Sequence, residues 1–326
     1  MALSKKIIFI LVLGIVFICG CSIKKDYYKK KFVALGTFVE ITSPRDDVFD
    51  DINIILSSTE HLFNNYDLNS EVSRVNSFAG IKPVVVSPQM LDAIDLALVY
   101  YQLTDGIFDV CLGKPILLWK EFITKRNKKY IPEDSQLDIF KNLEVLSQLV
   151  IDREKSTLFI RNKDIQLDFG GMAKGYVVDL LAEKLIRKGL ESFLINAGGD
   201  IYAYGLYKDK KWQVGIKNPA NPGVSDIIEI SDKAIATSGG YEQFFDLEGQ
   251  RYSHIIDPRT LKPVINNVLS VTVISDSCLV SDIFATTFFI MGPDETQEFI
   301  KENNFDKLTV IFLVKGKETI EEIRIN

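Results

Sequence analysis

Residues 167–189 of this 326-residue chain, LDFGGMAKGYVVDLLAEKLIRKG, put Asp168 at the end of an apolar segment that reads as a strand. Gly170, Gly171 and Lys174 follow as a helix begins. Glycines let a backbone approach a ligand closely or take positive φ. A new helix presents unpaired N–H groups and a positive dipole end. Together these suit an anion such as a phosphate. A tight strand–helix turn with a solvated lysine accounts for the same residues. A second stretch, SDIFATTFFIMG (281–292), sets Asp282 and Thr286 four residues apart, on one face of an expected helix. The apolar neighbours imply burial, and a buried carboxylate needs a cation or several donors. The alternative is that Asp282 caps its helix near Ser281, with Thr286 packed inside.

Other chemistries are excluded. No G-x-G-x-x-G and no G-x-x-x-x-G-K-[ST] occurs, so neither a dinucleotide fingerprint nor a P-loop is present. The two histidines, His61 and His254, cannot build a His-rich zinc site, and no H-E-x-x-H or G-x-S-x-G appears. What remains is oxygen chemistry from carboxylates, hydroxyls and main-chain carbonyls, the ligands of Mg²⁺ or Ca²⁺.

The elements that must position these groups mix helices with strands. Residues 34–43 alternate like a strand, and helical patterns cover 47–65 and 88–104, the second opened by Ser87 and Pro88. Residues 124–136 read as a surface loop, and short strands are expected at 148–152, 156–162 and 164–169. The helix over 173–188 carries Val177, Leu180, Leu181 and Leu185 on one face and ends at Gly189. A β-rich stretch from 193 to 275 is followed by helices at 278–291 and 294–303 and strands at 308–314 and 319–325. Helices with largely antiparallel strands indicate the α+β class. No repeat, low-complexity tract or linker divides the chain.

The composition, 47% hydrophobic and 25% charged, is that of a globular protein. At the amino terminus, Lys5 and Lys6 precede an apolar run from Ile7 to Cys19, too short for a span and fitting a signal-peptide core. Ile18-Cys19-Gly20-Cys21 resembles a lipobox, with Cys21 as the lipidated residue; an uncleaved signal anchor is the alternative. Both put the folded part outside the cytoplasm. The expected division is a signal peptide (1–20), a lysine-rich tether (21–33) near anionic headgroups and one domain (34–326). Residues 1–20 carry two lysines and no acid, so their removal takes the formal charge from −6 to −8. Nucleic acid is therefore not an expected partner. Cys111 and Cys278 read as buried small apolar residues.

Eight stretches in order resemble the FAD:protein FMN transferases, the flavin transferase (ApbE) family. They are ALGTFVEI (34–41), YDLNSEVSRVN (66–76), GIFDVCLGKPILLW (106–119), LDFGGMAKGYVVD (167–179), NAGGDIYAYG (196–205), ATSGGYEQFF (236–245), HIIDPRT (254–260) and SDIFATTFFIMG (281–292). The resemblance covers nearly the whole mature chain. It implies a single mixed α/β unit of two subdomains with FAD in the cleft between them. It implies Mg²⁺ held by Asp282, Thr286 and the main-chain carbonyl of Gly171, a hard oxygen set. Asp168 and Lys174 become nucleotide contacts beside that metal. Leu35, Tyr66, Ile107, Phe108 and Asp109 line the FAD, and His254 stands beside the reacting phosphate as the catalytic base. Read alone, Tyr66 is an ordinary half-buried aromatic and His254 a strand histidine bonded to a neighbour. Asp257 supports the turn with Pro258. NAGGD and ATSGG shape the cleft by close backbone approach, with no chemistry assigned. The family usually has Met at the Leu35 position and often Asp at the Gly240 position.

The implied reaction moves FMN from FAD to a Ser or Thr hydroxyl of an extracytoplasmic redox protein, a subunit of a membrane electron-transport complex, releasing AMP. A metal-dependent FAD pyrophosphatase giving FMN and AMP is the second reading, and a non-catalytic flavin-binding lipoprotein the third. Family members with an aromatic at the Tyr66 position retain FAD, which favours transfer.

Overall fold

Residues 28–43 fold as a hairpin of β1 (Tyr28–Ala34) and β2 (Thr37–Ser43), turned at Leu35 and Gly36 with φ of 53° and 69°. Two consecutive positive φ angles give the turn whose twist matches that of its strands. The strand expected over 34–43 is therefore a turn followed by β2. Lys29, Lys30 and Lys31, expected in a tether, lie in β1 instead. Ala34 is buried and Phe32 half-buried, while Lys29 and Lys31 reach Glu40 at 2.7 and 3.6 Å. Lysines along an edge strand also discourage pairing with a foreign strand.

The computed structural model describes residues 26–125, 131–141, 143–219, 221, 223–240, 244–247, 250–317 and 319–326. The expected signal peptide, Cys21 and the first part of the expected tether lie outside the described residues. β1 and β2 continue into β3 (Phe193–Ala197), β4 (Asp200–Tyr204), β5 (Lys233–Gly239), β6 (Val268–Ser275), β7 (Thr309–Lys315) and β8 (Ile320–Ile325). These eight strands form one sheet in chain order, with every neighbouring pair antiparallel.

Among the described residues five longer helices accompany it: α1 (Phe49–Phe63), α2 (Pro88–Leu103), α3 (Gly113–Lys125), α4 (Ala173–Arg187) and α5 (Cys278–Glu302). Ser87 caps α2, its hydroxyl accepting from Met90 N at 3.2 Å. α4 buries Val177, Val178, Leu181 and Leu185 in a core shared with Val39, Ile41 and Ile195. α5 buries Ile283, Phe284 and Phe288 with Val271, Val310 and Phe312. It joins the two helices expected at 278–291 and 294–303 across a kink, where Gly292 (φ 80°) precedes Pro293. α3 is an additional helix, and with the short helix Asp134–Asp138 it takes both ends of the loop expected over 124–136.

Residues 164–169 form no strand beyond a single bridge from Gln166 to Leu112. The Asn76 side chain takes a neighbouring strand's place, accepting from Leu167 N at 2.7 Å and donating to Leu167 O at 2.9 Å. A side-chain amide thus satisfies backbone groups that sequence alternation alone assigns to a sheet.

Candidate active site

Two loops make one wall of a cavity of about 220 Å³. Asp168 N donates to Val110 O at 2.7 Å and Gly113 N to Gln166 O at 2.8 Å, locking residues 110–113 against 166–168. The lock carries Ile107, Phe108 and Asp109 to the cavity beside Asp168, Gly171 and Lys174. Thr104 Oγ1 accepts from Phe108 N at 2.9 Å and sets that loop's entry. Burial pushes the Asp109 carboxyl up to about 6, against the pull of the Cys111 N–H, which donates to Oδ1 at 2.7 Å.

The glycine turn works by close approach, because neither Gly170 nor Gly171 has positive φ. Asp168 Oδ1 accepts from Gly170 N at 2.8 Å, and a Cβ on Gly170 would stand 2.9 Å from that oxygen. The side of Gly171 faces Phe108 and Thr286. A second close approach joins the helices: a Cβ on Gly175 would meet Cys278 O at 2.5 Å. α4 and α5 therefore cross backbone to backbone, and Gly175 N donates to Asp282 Oδ2 at 2.9 Å.

Asp282 does not cap α5. Ser277 does, accepting from Val280 N at 3.3 Å, and Asp179 of α4 reinforces it by accepting from Ser277 Oγ, Cys278 N and Leu279 N at 2.6, 2.8 and 3.0 Å. Such caps are typically worth about 1 kcal/mol. Here they also fix the helix that presents Asp282 and Thr286. Asp282 is 3% exposed and lines the cavity with Thr286, whose hydroxyl is 3.1 Å from Ser238 Oγ. Lys174 Nζ sits 3.4 Å from Asp282 Oδ1 and bonds to Asp200, which is 1% exposed. Loss of water would lower the Lys174 pKa, but Asp200 and Asp282 outweigh it and raise it.

His254 lines the same cavity, together with Ile255 and Ile256. Asp257 shapes the turn behind it, accepting from Arg259 N at 2.9 Å, and Arg259 reaches Glu295 of α5 at 3.0 Å. Tyr66 and Leu35 do not line the cavity. Asn65 donates to Leu167 O at 3.2 Å, one residue before Asp168, and the Tyr66 that follows it is 74% exposed. Lys120 of α3 lies over its ring at 4.6 Å and bonds to its hydroxyl. Leu35 occupies the β1–β2 turn, its N–H donating to Glu60 Oε1 at 3.0 Å.

The ApbE family model matches residues 35–312. The chain belongs to the ApbE family. A Vibrio cholerae relative named FAD:protein FMN transferase is 34% identical over 275 residues, covering 83% of this chain and 80% of the relative. An Escherichia coli relative of the same name is 27% identical over 298 residues, covering 88% and 84%. The solved flavin transferase ApbE from Vibrio cholerae superposes with a TM-score of 0.80 at 30% identity, over 92% of this chain and 97% of that one. An ApbE protein from Thermotoga maritima gives 0.78 at 27%, over 91% and 96%.

On this ApbE frame, two residues outside the sequence-derived set join the site. Asp200 closes NAGGD and meets Lys174, and Ser238 lies within ATSGG against Thr286. Both motifs were legible; their chemistry was not, because each polar group meets a partner far away in sequence. At Gly240, a Cβ would stand 3.2 Å from Phe289 Cζ. Phe289 thus crowds the place where the family often carries Asp.

The donor set suits a hard cation. Asp109, Asp168 and Asp282 line the cavity with Lys174 as the one ammonium among the described lining residues. A diphosphate would meet net repulsion there unless a cation came with it. Among the described residues no group of three or more His, Cys, Asp or Glu is placed to hold a metal. The fitting ligands are one carboxylate, one hydroxyl and main-chain oxygen, the hard donors that Mg²⁺ or Ca²⁺ takes.

Proposed function

We propose that this protein is a Mg²⁺-dependent FAD:protein FMN transferase, acting outside the cytoplasm from a lipid anchor at Cys21. The carrying observation is that Asp282, Thr286, the Gly170–Gly171 turn, Lys174 and His254 converge on one cavity in an ApbE frame. The substrate is FAD, and the acceptor is a Ser or Thr hydroxyl of a flavoprotein subunit in a membrane electron-transport complex. Asp282 and Thr286, with the Gly171 carbonyl, would hold the cation. When bound, it neutralises diphosphate charge.

His254 takes the proton of the acceptor hydroxyl as its oxygen bonds to the FMN-side phosphorus. The bond from that phosphorus to the bridging oxygen breaks, and AMP departs with the bridging oxygen. Imidazole titrates near neutrality, which suits a group that must accept and then release a proton. Ile107 and Phe108, 6% and 5% exposed, offer an apolar wall to the flavin side and exclude water there. Asp168 keeps the turn closed through Gly170 N.

Incubating the full-length protein with FAD, Mg²⁺ and a Ser/Thr acceptor peptide should add one FMN phosphoester to the peptide and release equimolar AMP. Free FMN without peptide gain would mark the pyrophosphatase, and bound, intact FAD a carrier. Location has its own check. Cys21→Ser should abolish lipid labelling and release the protein from the membrane or leave it uncleaved. Unchanged fractionation with residues 1–20 retained would mark a plain signal anchor.

A further inference from the structure

Lys174 lies between two buried carboxylates and does not treat them alike. It bonds closely to Asp200 and donates a longer hydrogen bond, 3.4 Å, to Asp282 Oδ1. Asp282 Oδ2 already accepts from Gly175 N at 2.9 Å, so Oδ1 is the oxygen a cation would take. Asp200 and Asp282 are 1% and 3% exposed, and the Lys174 side chain 29%. Asp200 begins β4 directly after the Gly198–Gly199 turn, which Gly198 N→Phe38 O (3.0 Å) and Gly199 N→Asn196 Oδ1 (2.9 Å) hold against the β1–β2 hairpin. Its backbone is therefore placed by the sheet and not by the helices that carry Lys174 and Asp282.

We infer that Asp200 is a positioning residue: it draws the Lys174 ammonium toward itself and keeps its bond to Asp282 Oδ1 long, so that a divalent cation can displace the ammonium from that oxygen. This rests on the cation reading above. Two carboxylates share one ammonium, a net charge of −1 that favours a divalent ion. Neutralising Asp200 acts twice in the same direction. It removes one unit of that negative charge, and it lets the ammonium close onto Asp282 as a competitor. An ammonium on a flexible four-carbon stem can make that move without disturbing the backbone.

The test is the Mg²⁺ requirement of the full-length protein, read as thermal protection at saturating FAD and, in parallel, as transfer rate. Asp200→Asn should raise the half-saturating Mg²⁺ concentration by roughly 10–100-fold, the usual effect of removing an outer partner of a metal site. Its plateau rate at high Mg²⁺ should recover most of the wild-type value. The double variant Asp200→Asn/Lys174→Met replaces the pair by uncharged groups of similar volume. It should bring half-saturation back toward wild type, because the competitor is gone. Unchanged half-saturation in Asp200→Asn, or a double variant as Mg²⁺-hungry as the single one, overturns the inference while the cation reading stands. A wild type indifferent to chelation overturns both.

Discussion

Asp282→Asn is expected to lower FMN transfer by about 10³-fold, the several kcal/mol that metal-assisted charge neutralisation contributes to such a step. The amide removes the charge and keeps an oxygen for the Gly175 N–H now bonded to Asp282 Oδ2. Asp282→Ala should lose as much turnover and also some stability, because a buried N–H left unpaired costs about 1–3 kcal/mol. Neither change leaves an unbalanced ammonium, since Lys174 remains bonded to Asp200. Thermal unfolding of both variants should therefore separate site from scaffold: near-native for Asn, modestly lowered for Ala. Chelation should reduce the wild type to the level of the variants, and added Mg²⁺ should restore it. A variant that keeps full transfer in chelator would remove Asp282 from the metal site.

Much of this site was legible because its residues sit in local patterns. The i, i+4 pair Asp282 and Thr286 needs only one helix, and α5 supplies it on a buried face. The Asp168 turn likewise closes within three residues. What stayed hidden lies across the chain. Asp200 meets Lys174 26 residues away, Asp179 caps α5 from 98 to 100 residues away, and Asn76 stands in for a strand beside Leu167 at a separation of 91. No periodicity encodes such contacts. The lysines of β1 misled for another reason. Consecutive charges suggest a solvated tether, yet an edge strand needs only one inward face, which Phe32 and Ala34 provide. In the same way, Leu167 and Phe169 are fully buried in a segment that alternates like a strand and pairs like a loop.

Tyr66 and His254 should divide binding from chemistry. Tyr66 is exposed and covered on one side by Lys120, so removing its ring costs little core packing. On the proposed reading its other face meets the nucleotide, a stack worth on the order of 1 kcal/mol. Tyr66→Ala should therefore weaken FAD retention several-fold and leave the single-turnover rate at saturating FAD near wild type. Admitting water in place of the ring should also shift part of the product toward free FMN and AMP. On the proposed mechanism His254 contributes only as the hydroxyl attacks, so its loss should spare FAD affinity and slow the chemical step by about 10²–10⁴-fold. The two variants are to be compared by single-turnover transfer to an acceptor peptide at saturating FAD, with FAD affinity measured separately by flavin fluorescence. Wild-type transfer by His254→Ala together with slow transfer by Tyr66→Ala would reverse the two roles. A more alkaline buffer should partly rescue His254→Ala and leave Tyr66→Ala unmoved, because only the missing base is replaced by raising the pH.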